Sequence, residues 1–228
     1  MSARAAEIMA HTVAGKPDLL LCAASGASPT RAYELFAADM NVGAALRVLK
    51  LDEWAGLAAD DEASCEAYLR RHLIDPLALP PERYWSFDGG AADGQTECAA
   101  MDRRLAAEGP IDLCLLGVGV NGHLALNEPA AELQPGCHVA ALAATSKNHP
   151  MLQGRAAPPS HGLTLGMAGI LQSKHLLVLV SGAHKRDATE KFLSRRITPH
   201  FPASFLWLHG NIDFLCDAAA MDGLEAPS

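Results

Sequence analysis

The most informative segment of this chain is IDLCLLGVGVNGHLALNEP, residues 111–129. It opens with an apolar run over 111–117 and passes into a loop with three glycines within six residues. Similar apolar runs, each bounded by Gly, Asp or Pro, predict further buried strands at 18–24, 46–51, 175–182 and 203–209. Helical patterns lie between most of these runs, at 29–40, 61–73, 93–108 and 184–195. Buried strands that alternate with helices predict an α/β fold, a three-layer Rossmann-like sandwich with a mostly parallel sheet and helices on both faces.

Composition limits the number of domains and the classes of partner. The 228 residues are 50% hydrophobic and 19% charged, which predicts one folded domain over 1–228. Eighteen Lys and Arg against 26 Asp and Glu give a net charge of −8, which argues against nucleic acid or an anionic membrane surface as partner. The first 16 residues lack the continuous apolar region of a secretory signal, and no apolar run could cross a bilayer. We therefore expect a soluble, cytoplasmic protein, and the sequence leaves a homo-oligomer open.

The cysteines are scattered singly along the chain. None forms a CxxC pair or a Cys/His spacing typical of metal ligands, so neither a zinc site nor a disulfide framework is predicted. We expect most of them to be small buried hydrophobic residues. The six are Cys22, Cys65, Cys98, Cys114, Cys137 and Cys216.

Ligands of such sheets bind at the carboxyl ends of the strands, so the residues that follow each run are candidates. After the first run, residues 25–30 (SGASPT) lead into a helix. The hydroxyls of Ser25 and Ser28 and the backbone N–H groups of Gly26 and Ala27 would cradle an anion at that helix N-terminus. An ordinary capped turn is the alternative. The segment is neither a P-loop nor GxGxxG, so it does not indicate a nucleotide.

Two adjacent carboxylates, Asp52 and Glu53, follow the second run. Side chains alternate between the faces of a strand, so one of the two can enter the cleft while the other is solvated or caps a turn. A partly desolvated carboxylate has a raised pKa, which suits a general base that takes a proton from carbon. A solvated pair of loop acids is the alternative interpretation.

The glycine-rich loop after 111–117 presents Asn121, His123 and Glu128 together, which makes it the best site candidate. Histidine is the side chain type best suited to moving protons near neutral pH, which makes His123 a candidate for that role. Glu128 could return through the turn, orient the imidazole and raise its basicity. The alternative is that His123 is a structural residue.

Lys185 lies in the first turn of the helix that follows the fourth run. A cation is disfavoured at that end of a helix, and a bound phosphate would remove the conflict. A lysine that extends into solvent is the alternative. The remaining segment of interest, 133–160, has little periodicity and could be an ordered loop or a lid. His138, His149, His161 and His209 receive no role.

Taken together, these segments resemble the family of glucosamine-6-phosphate deaminases and 6-phosphogluconolactonases over nearly the whole chain. Residues 25–29 look like its phosphate loop, 51–54 its catalytic acid segment, 119–129 its signature and 182–185 its phosphate-binding lysine turn. The NEP ending at 127–129 is specific to the deaminase side. Three further segments look most like the galactosamine-6-phosphate deaminase/isomerase branch, namely 133–138 (LQPGCH), 161–166 (HGLTLG) and 202–209 (PASFLWLH).

The resemblance implies a reaction and roles for the matching residues. His123, assisted by Glu128 and with Asn121 beside them, would open the ring of an amino-sugar phosphate. Asp52 would move a proton from C2 to C1, after which an imine hydrolyses to a ketose and ammonia. Residues 25–28 and Lys185 would hold the phosphate, and no metal or organic cofactor is implied. The expected product of galactosamine 6-phosphate is tagatose 6-phosphate.

The sequence departs from the family pattern in three places. Asn121 stands where glucosamine-type enzymes have Asp, so one carboxylate of the relay is missing. Ala27 replaces a Gly, which would be strained if the backbone there needs a positive φ. No Arg aligns near 145–147, where Lys147 is a stand-in. Glucosamine-6-phosphate deaminase, 6-phosphogluconolactonase and a non-catalytic sugar-phosphate sensor therefore stay as alternatives.

Overall fold

A computed structural model describes residues 1–38 and 45–225 of the chain. The strands in these residues are, in chain order, β1 (Leu20–Ala23), β2 (Arg47–Lys50), β3 (Asp52–Trp54), β4 (Tyr84–Trp85), β5 (Leu113–Gly117), β6 (His138–Ala141), β7 (His161–Thr164), β8 (Leu176–Val180) and β9 (Ile212–Cys216).

The α-helices in the same residues are α1 (Ser2–Gly15), α2 (Ala27–Ala37), α3 (Cys65–Leu69), α4 (Gly94–Glu108), α5 (Ala144–Lys147), α6 (Met167–Leu171) and α7 (Arg186–Leu193). A π-helical turn continues α3 over Arg70–Ile74. Four 3₁₀ segments complete the helical structure, at Pro81–Arg83, Pro150–Leu152, Ala183–Lys185 and Pro202–Leu208. Within the described ranges, no helix is long and apolar enough to cross a membrane.

A six-stranded sheet in the order β4-β2-β1-β5-β8-β9 forms the centre of the protein. Every neighbouring pair in it is parallel. The inner strands β1, β5 and β8 are buried because their residues are apolar in unbroken runs, and all five residues of β8 are buried. This parallel sheet, flanked by helices, confirms the predicted α/β sandwich.

A second, smaller sheet was not expected from the sequence. Its three strands run antiparallel in the order β3-β7-β6, and Asp52 of β3 lies opposite Thr164 of β7. A small apolar cluster lies against it, with Trp54 and Leu126 among its members. The segment 133–160 therefore contains a strand of this sheet, β6, in addition to the short helix α5.

One predicted strand, 203–209, is wrong. Those residues lie in the 3₁₀ segment Pro202–Leu208, and the edge of the parallel sheet is β9 instead. Ala203 donates its N–H to Gly122 O at 2.8 Å, so its backbone is held by the glycine-rich loop and not by a strand. The buried Ala203 and Leu206 are three residues apart, which matches the period of a 3₁₀ turn.

The predicted helices agree with the observed ones to within a few residues. The prediction over 29–40 corresponds to α2, and its residues 39–40 lie outside the described part of the chain. The prediction over 61–73 is divided between α3 and the π-helical turn that follows it, 93–108 is α4, and 184–195 spans the turn before α7 and α7 itself.

Candidate active site

The candidate phosphate loop, which begins at residue 25, joins β1 to α2, and its backbone N–H groups lie at the N-terminus of that helix. Gly26 is the N-cap residue of α2 and has a φ of +116°, a conformation that other residues rarely adopt. Its carbonyl oxygen accepts from the hydroxyl of Tyr68 at 2.7 Å. The hydroxyl of Ser28 lies 2.8 Å from that of Ser181, at the end of β8. The loop is therefore held on both sides, with its first N–H groups pointing away from the helix.

Ala27 is the first residue of α2 and is absent from the residues with positive φ. The positive φ of this loop belongs to Gly26 instead. The strain expected from an alanine at position 27 therefore does not arise.

Lys185 ends the 3₁₀ turn that precedes α7 and is partly buried. Its ammonium donates to the carbonyl oxygen of Val118, in the glycine-rich loop, at 2.6 Å. Burial lowers the pKa of this lysine from its ordinary value. The side chain of Lys185 therefore contacts the glycine-rich loop instead of extending into solvent.

The carboxylate of Asp52 lies on β3 and is only 9% exposed. Burial is the main cause that raises its pKa from the ordinary value of 3.8 to about 7, and the neighbouring charge of Glu53 adds to it. A hydrogen bond with the Cys65 thiol and the charge of Lys50 act in the opposite direction. A carboxylate in this state can accept and return a proton near neutral pH.

Glu53 has a different role from its neighbour, although it too is buried, at 1% exposure. Its carboxylate accepts three backbone N–H groups at 2.8 to 2.9 Å. The buried ammonium of Lys50 donates to it at 2.8 Å and to Glu66 at 2.9 Å. The interpretation of Asp52 and Glu53 as a solvated pair is therefore wrong, because one is a buried acid and the other belongs to a buried ionic cluster.

The glycine-rich loop folds back on itself so that His123 and Glu128 meet. Nδ1 of His123 lies 3.5 Å from Oε2 of Glu128, and their side chains are 19% and 12% exposed. A Cβ on Gly119 would overlap the imidazole, so a side chain at that position would displace His123. The carboxylate is close enough to orient the ring, as the spacing in the sequence suggested.

Asn121 connects these two residues. Its amide donates to Oε2 of Glu128 at 2.9 Å and to the Thr145 hydroxyl at 3.1 Å, while its carbonyl oxygen accepts the His123 N–H at 3.2 Å. An aspartate here would place a second negative charge against Glu128, whereas the amide supplies the donor that Glu128 accepts. Asn121 thus positions the carboxylate.

Segment 133–160 supplies partners that the sequence did not reveal. Oε1 of Glu128 accepts from the Ser146 hydroxyl and, at 3.1 Å, from the Ala143 N–H. Burial opposes the charge of Glu128, but its interactions with His123, Ser146 and Asn121 are stronger and lower its pKa to about 2. Glu128 is therefore ionised at any ordinary pH.

His149, to which the sequence assigned no role, also lies at this site. Its Nε2 is 3.8 Å from the place a Cβ of Gly26 would occupy, and its ring centroid is 5.8 Å from that of Trp54. Burial is the main cause that lowers its pKa to about 4, with further contributions from His123 and Lys185. A lone histidine in an aperiodic segment carries no sequence signal that could have identified it.

The candidate residues from distant parts of the chain are linked by short contacts. The hydroxyl of Ser25 donates to the Cys65 sulfur at 3.1 Å, and Cys65 in turn acts to lower the pKa of Asp52. Thr164, which lies opposite Asp52, accepts the Leu126 N–H at 3.1 Å and so connects β3 to the glycine-rich loop. Within residues 1–38 and 45–225, no cluster of His, Cys, Asp and Glu side chains could hold a metal ion.

The fold and these segments define a sugar-phosphate enzyme family. The family profile described as glucosamine-6-phosphate isomerases/6-phosphogluconolactonase matches residues 1–214. The chain belongs to this family, which confirms the resemblance drawn from the motifs.

Three individual relatives within the family carry the name deaminase. The chain is 39% identical over 220 residues to a protein of Escherichia coli (strain K12) that carries the provisional name deaminase AgaI, covering 95% of this chain and 86% of the relative. It is 36% identical to a glucosamine-6-phosphate deaminase of Bacillus pumilus (strain SAFR-032), covering 95% and 92%. A solved monomeric glucosamine-6-phosphate deaminase matches with a TM-score of 0.90 at 33% identity, covering 96% and 93%. These relatives lie on the deaminase and isomerase side of the family.

The likeness to lactonases concerns the fold alone. The 6-phosphogluconolactonase of Trypanosoma brucei matches with a TM-score of 0.79 at 22% identity, covering 98% of this chain and 94% of that one.

Proposed function

We propose that the protein converts galactosamine 6-phosphate and water to tagatose 6-phosphate and ammonia. The observation that carries this proposal is the buried Asp52, whose pKa of about 7 suits a group that takes a proton from carbon and gives it back. The contacts that link it to the phosphate loop and to the glycine-rich loop support a shared substrate. The 39% identity to the protein named deaminase AgaI supports the deaminase side.

Ring opening is the first step of the proposed reaction. His123 takes the proton of the anomeric hydroxyl and delivers it to the ring oxygen as the bond between that oxygen and C1 breaks. Glu128, held in its ionised form, stabilises the imidazolium that exists between the two transfers. Asn121 and Ser146 hold Glu128 in position for this role.

Isomerisation follows in the open-chain aldehyde. Asp52 removes the proton from C2, the electron pair forms the C1–C2 double bond, and O1 takes up a proton to give an enolamine. Asp52 then returns its proton to C1, which leaves an imine at C2. Water adds to this imine and ammonia leaves, so the ketose is formed without an oxidant or reductant. Each positioned proton transfer contributes on the order of 10²–10⁴ in rate.

The phosphate supplies binding energy remote from the reacting carbons. The N–H groups at the start of α2, the hydroxyls of Ser25 and Ser28, and the ammonium of Lys185 are the groups proposed to hold it. This binding would fix C2 against Asp52. The free state of all six cysteines supports the cytoplasm as the place of action.

Glucosamine 6-phosphate is the second candidate substrate, and the identity of 36% to a glucosamine-6-phosphate deaminase favours it. The deciding experiment measures ammonia and ketose release from both sugar phosphates, with 6-phosphogluconolactone as a third substrate. We expect the highest kcat/KM for galactosamine 6-phosphate. A higher kcat/KM for the glucosamine epimer would change the assigned substrate. Lactone hydrolysis without ammonia release would overturn the proposed deaminase activity.

A non-catalytic sensor is tested in the same samples. Calorimetry that detects sugar-phosphate binding, together with the absence of any product, would support a sensor. Incorporation of solvent deuterium at C1 of the ketose would exclude it, because that label requires the proposed proton transfer.

A further inference from the structure

We propose that His149 is a phosphate ligand of this site, which donates its Nε2–H to the phosphate held between the α2 N-terminus and Lys185. The inference rests on the proposed function, because it adds a residue to the same phosphate site. It assigns this role to the segment between β6 and β7, which the sequence left as a loop or a lid.

The local backbone fixes the tautomer of His149. The residue is the N-cap of the 3₁₀ turn Pro150–Leu152, and its Nδ1 accepts the N–H of Met151 at 3.3 Å. A neutral imidazole that accepts at Nδ1 carries its proton at Nε2. The donor is therefore at the far end of the ring from the turn that holds it.

The free end of the ring faces the phosphate loop. Nε2 lies 3.8 Å from the position of a Cβ on Gly26, and nothing else outside the loop's own neighbourhood is that close. No acceptor for Nε2 is found in the described parts of the chain. The absence of a side chain at Gly26 leaves room for a ligand atom between the ring and the backbone donors of α2.

The charges around the ring favour an anion. His123 and Lys185 act on the imidazole from the glycine-rich loop and from the turn before α7, and both disfavour its protonation. Within residues 1–38 and 45–225, neither His149 nor Lys185 forms an ion pair with a carboxylate. An anion placed among His149, Lys185 and the α2 N-terminus would satisfy donors that the protein itself leaves without a negative partner.

The aromatic neighbour of the ring keeps it in place. Trp54 is 4% exposed, and its ring is tilted by 48° to the imidazole. Because Trp54 follows Asp52 on β3, His149 packs against the strand that carries the proposed base. A phosphate ligand in this position would fix the distance between the two ends of the substrate.

The test separates ligand binding from the structural role of the cap. His149→Asn keeps a side-chain acceptor for the N-cap but cannot reach the phosphate loop, whereas His149→Gln places an amide donor near the position of Nε2. His11→Asn, at an exposed position of α1, is the matched control. The probes are inorganic phosphate, measured by calorimetry, and galactosamine 6-phosphate, measured by KM and kcat.

We expect His149→Asn to weaken phosphate binding by about 10- to 100-fold and to raise KM by a similar factor, the effect of losing one hydrogen bond to a charged group. His149→Gln should recover most of the loss, and the control should bind as the unchanged protein does. The Asn variant and the control should melt at the temperature of the unchanged protein, because Asn retains the cap and position 11 is exposed.

Two results would overturn the assignment. Unchanged phosphate affinity in His149→Asn would show that the ring does not bind the anion. Equal losses in the Asn and Gln variants, together with lowered melting temperatures, would assign His149 to packing alone. Phosphate affinity is measured without turnover, so it tests the role of His149 even if the proposed reaction does not occur. A failure of the proposed reaction would be recognised separately by the lack of ammonia.

Discussion

The two ends of the candidate site use different chemical groups. The phosphate end uses loops that follow β1 and β8 of the parallel sheet, and its groups are backbone donors, hydroxyls and one ammonium. The acid–base end uses carboxylates and a histidine, from β3 of the antiparallel sheet and from the glycine-rich loop after β5, with partners from the segment between β6 and β7. The side chains proposed to bind phosphate therefore differ from those proposed to move protons, so we expect each function to be changed with a smaller effect on the other.

The largest effect is expected at the acid–base end. Asp52→Asn removes the proposed base, and kcat should fall by about 10²–10⁴ because the amide cannot take a proton from carbon. Phosphate affinity should stay within about twofold of the unchanged protein if the two ends are independent. Steady-state ammonia release and phosphate calorimetry measure the two quantities, and Asp60→Asn, at an exposed position, is the control. Full activity in Asp52→Asn would eliminate the proposed mechanism.

The phosphate end should give the converse result. Lys185→Met removes the ammonium, and KM for the sugar phosphate should rise by about 10- to 100-fold through loss of a charged ligand. The loss in kcat should be smaller than the rise in KM. Lys191→Met, exposed on α7, serves as the matched control. A variant that loses kcat with KM unchanged would place Lys185 at the reacting carbons and end the division between a phosphate end and an acid–base end.

The pH profile tests the acid–base end. Asp52 must be ionised to act as a base, and its pKa is raised to about 7. The value of kcat/KM should therefore fall about tenfold for each pH unit below 7 and level off above it. Glu128, with a pKa of about 2, stays ionised over this range and should add no step. A flat profile between pH 5 and about pH 7 would contradict the assignment of Asp52.

The smallest effect is expected at position 27 of the phosphate loop. Ala27 is helical, so Ala27→Gly should lower the free energy of unfolding by about 0.5–1 kcal/mol and leave phosphate binding nearly unchanged. Urea unfolding followed by circular dichroism measures the first, and calorimetry the second. Markedly tighter phosphate binding in the glycine variant would show that the loop is strained by alanine after all.

The carboxylates on β3 show how much of the site could be predicted from the sequence. Alternation along a strand predicted that Asp52 and Glu53 would point to different faces, but the burial of both depends on packing. Glu53 is held by the ammonium of Lys50, which also donates to Glu66, and by the backbone N–H groups of Cys65 and Glu66 in α3. No local pattern contains that cluster, because Glu66 and α3 reach it through the tertiary fold.

Four strands of the parallel sheet, most helix positions and the placement of Asp52, His123, Glu128 and Lys185 after those strands could be predicted from the sequence. Apolar runs and the residues that end them are local features, and the ends of parallel strands share one edge. Only the tertiary structure decided the pairing of β3 with β7, the 3₁₀ form of 203–209 and the position of His149 beside Gly26. These three features depend on contacts between residues far apart in the chain. The energies of such contacts are set by packing and burial, and they produce no periodic pattern in the sequence.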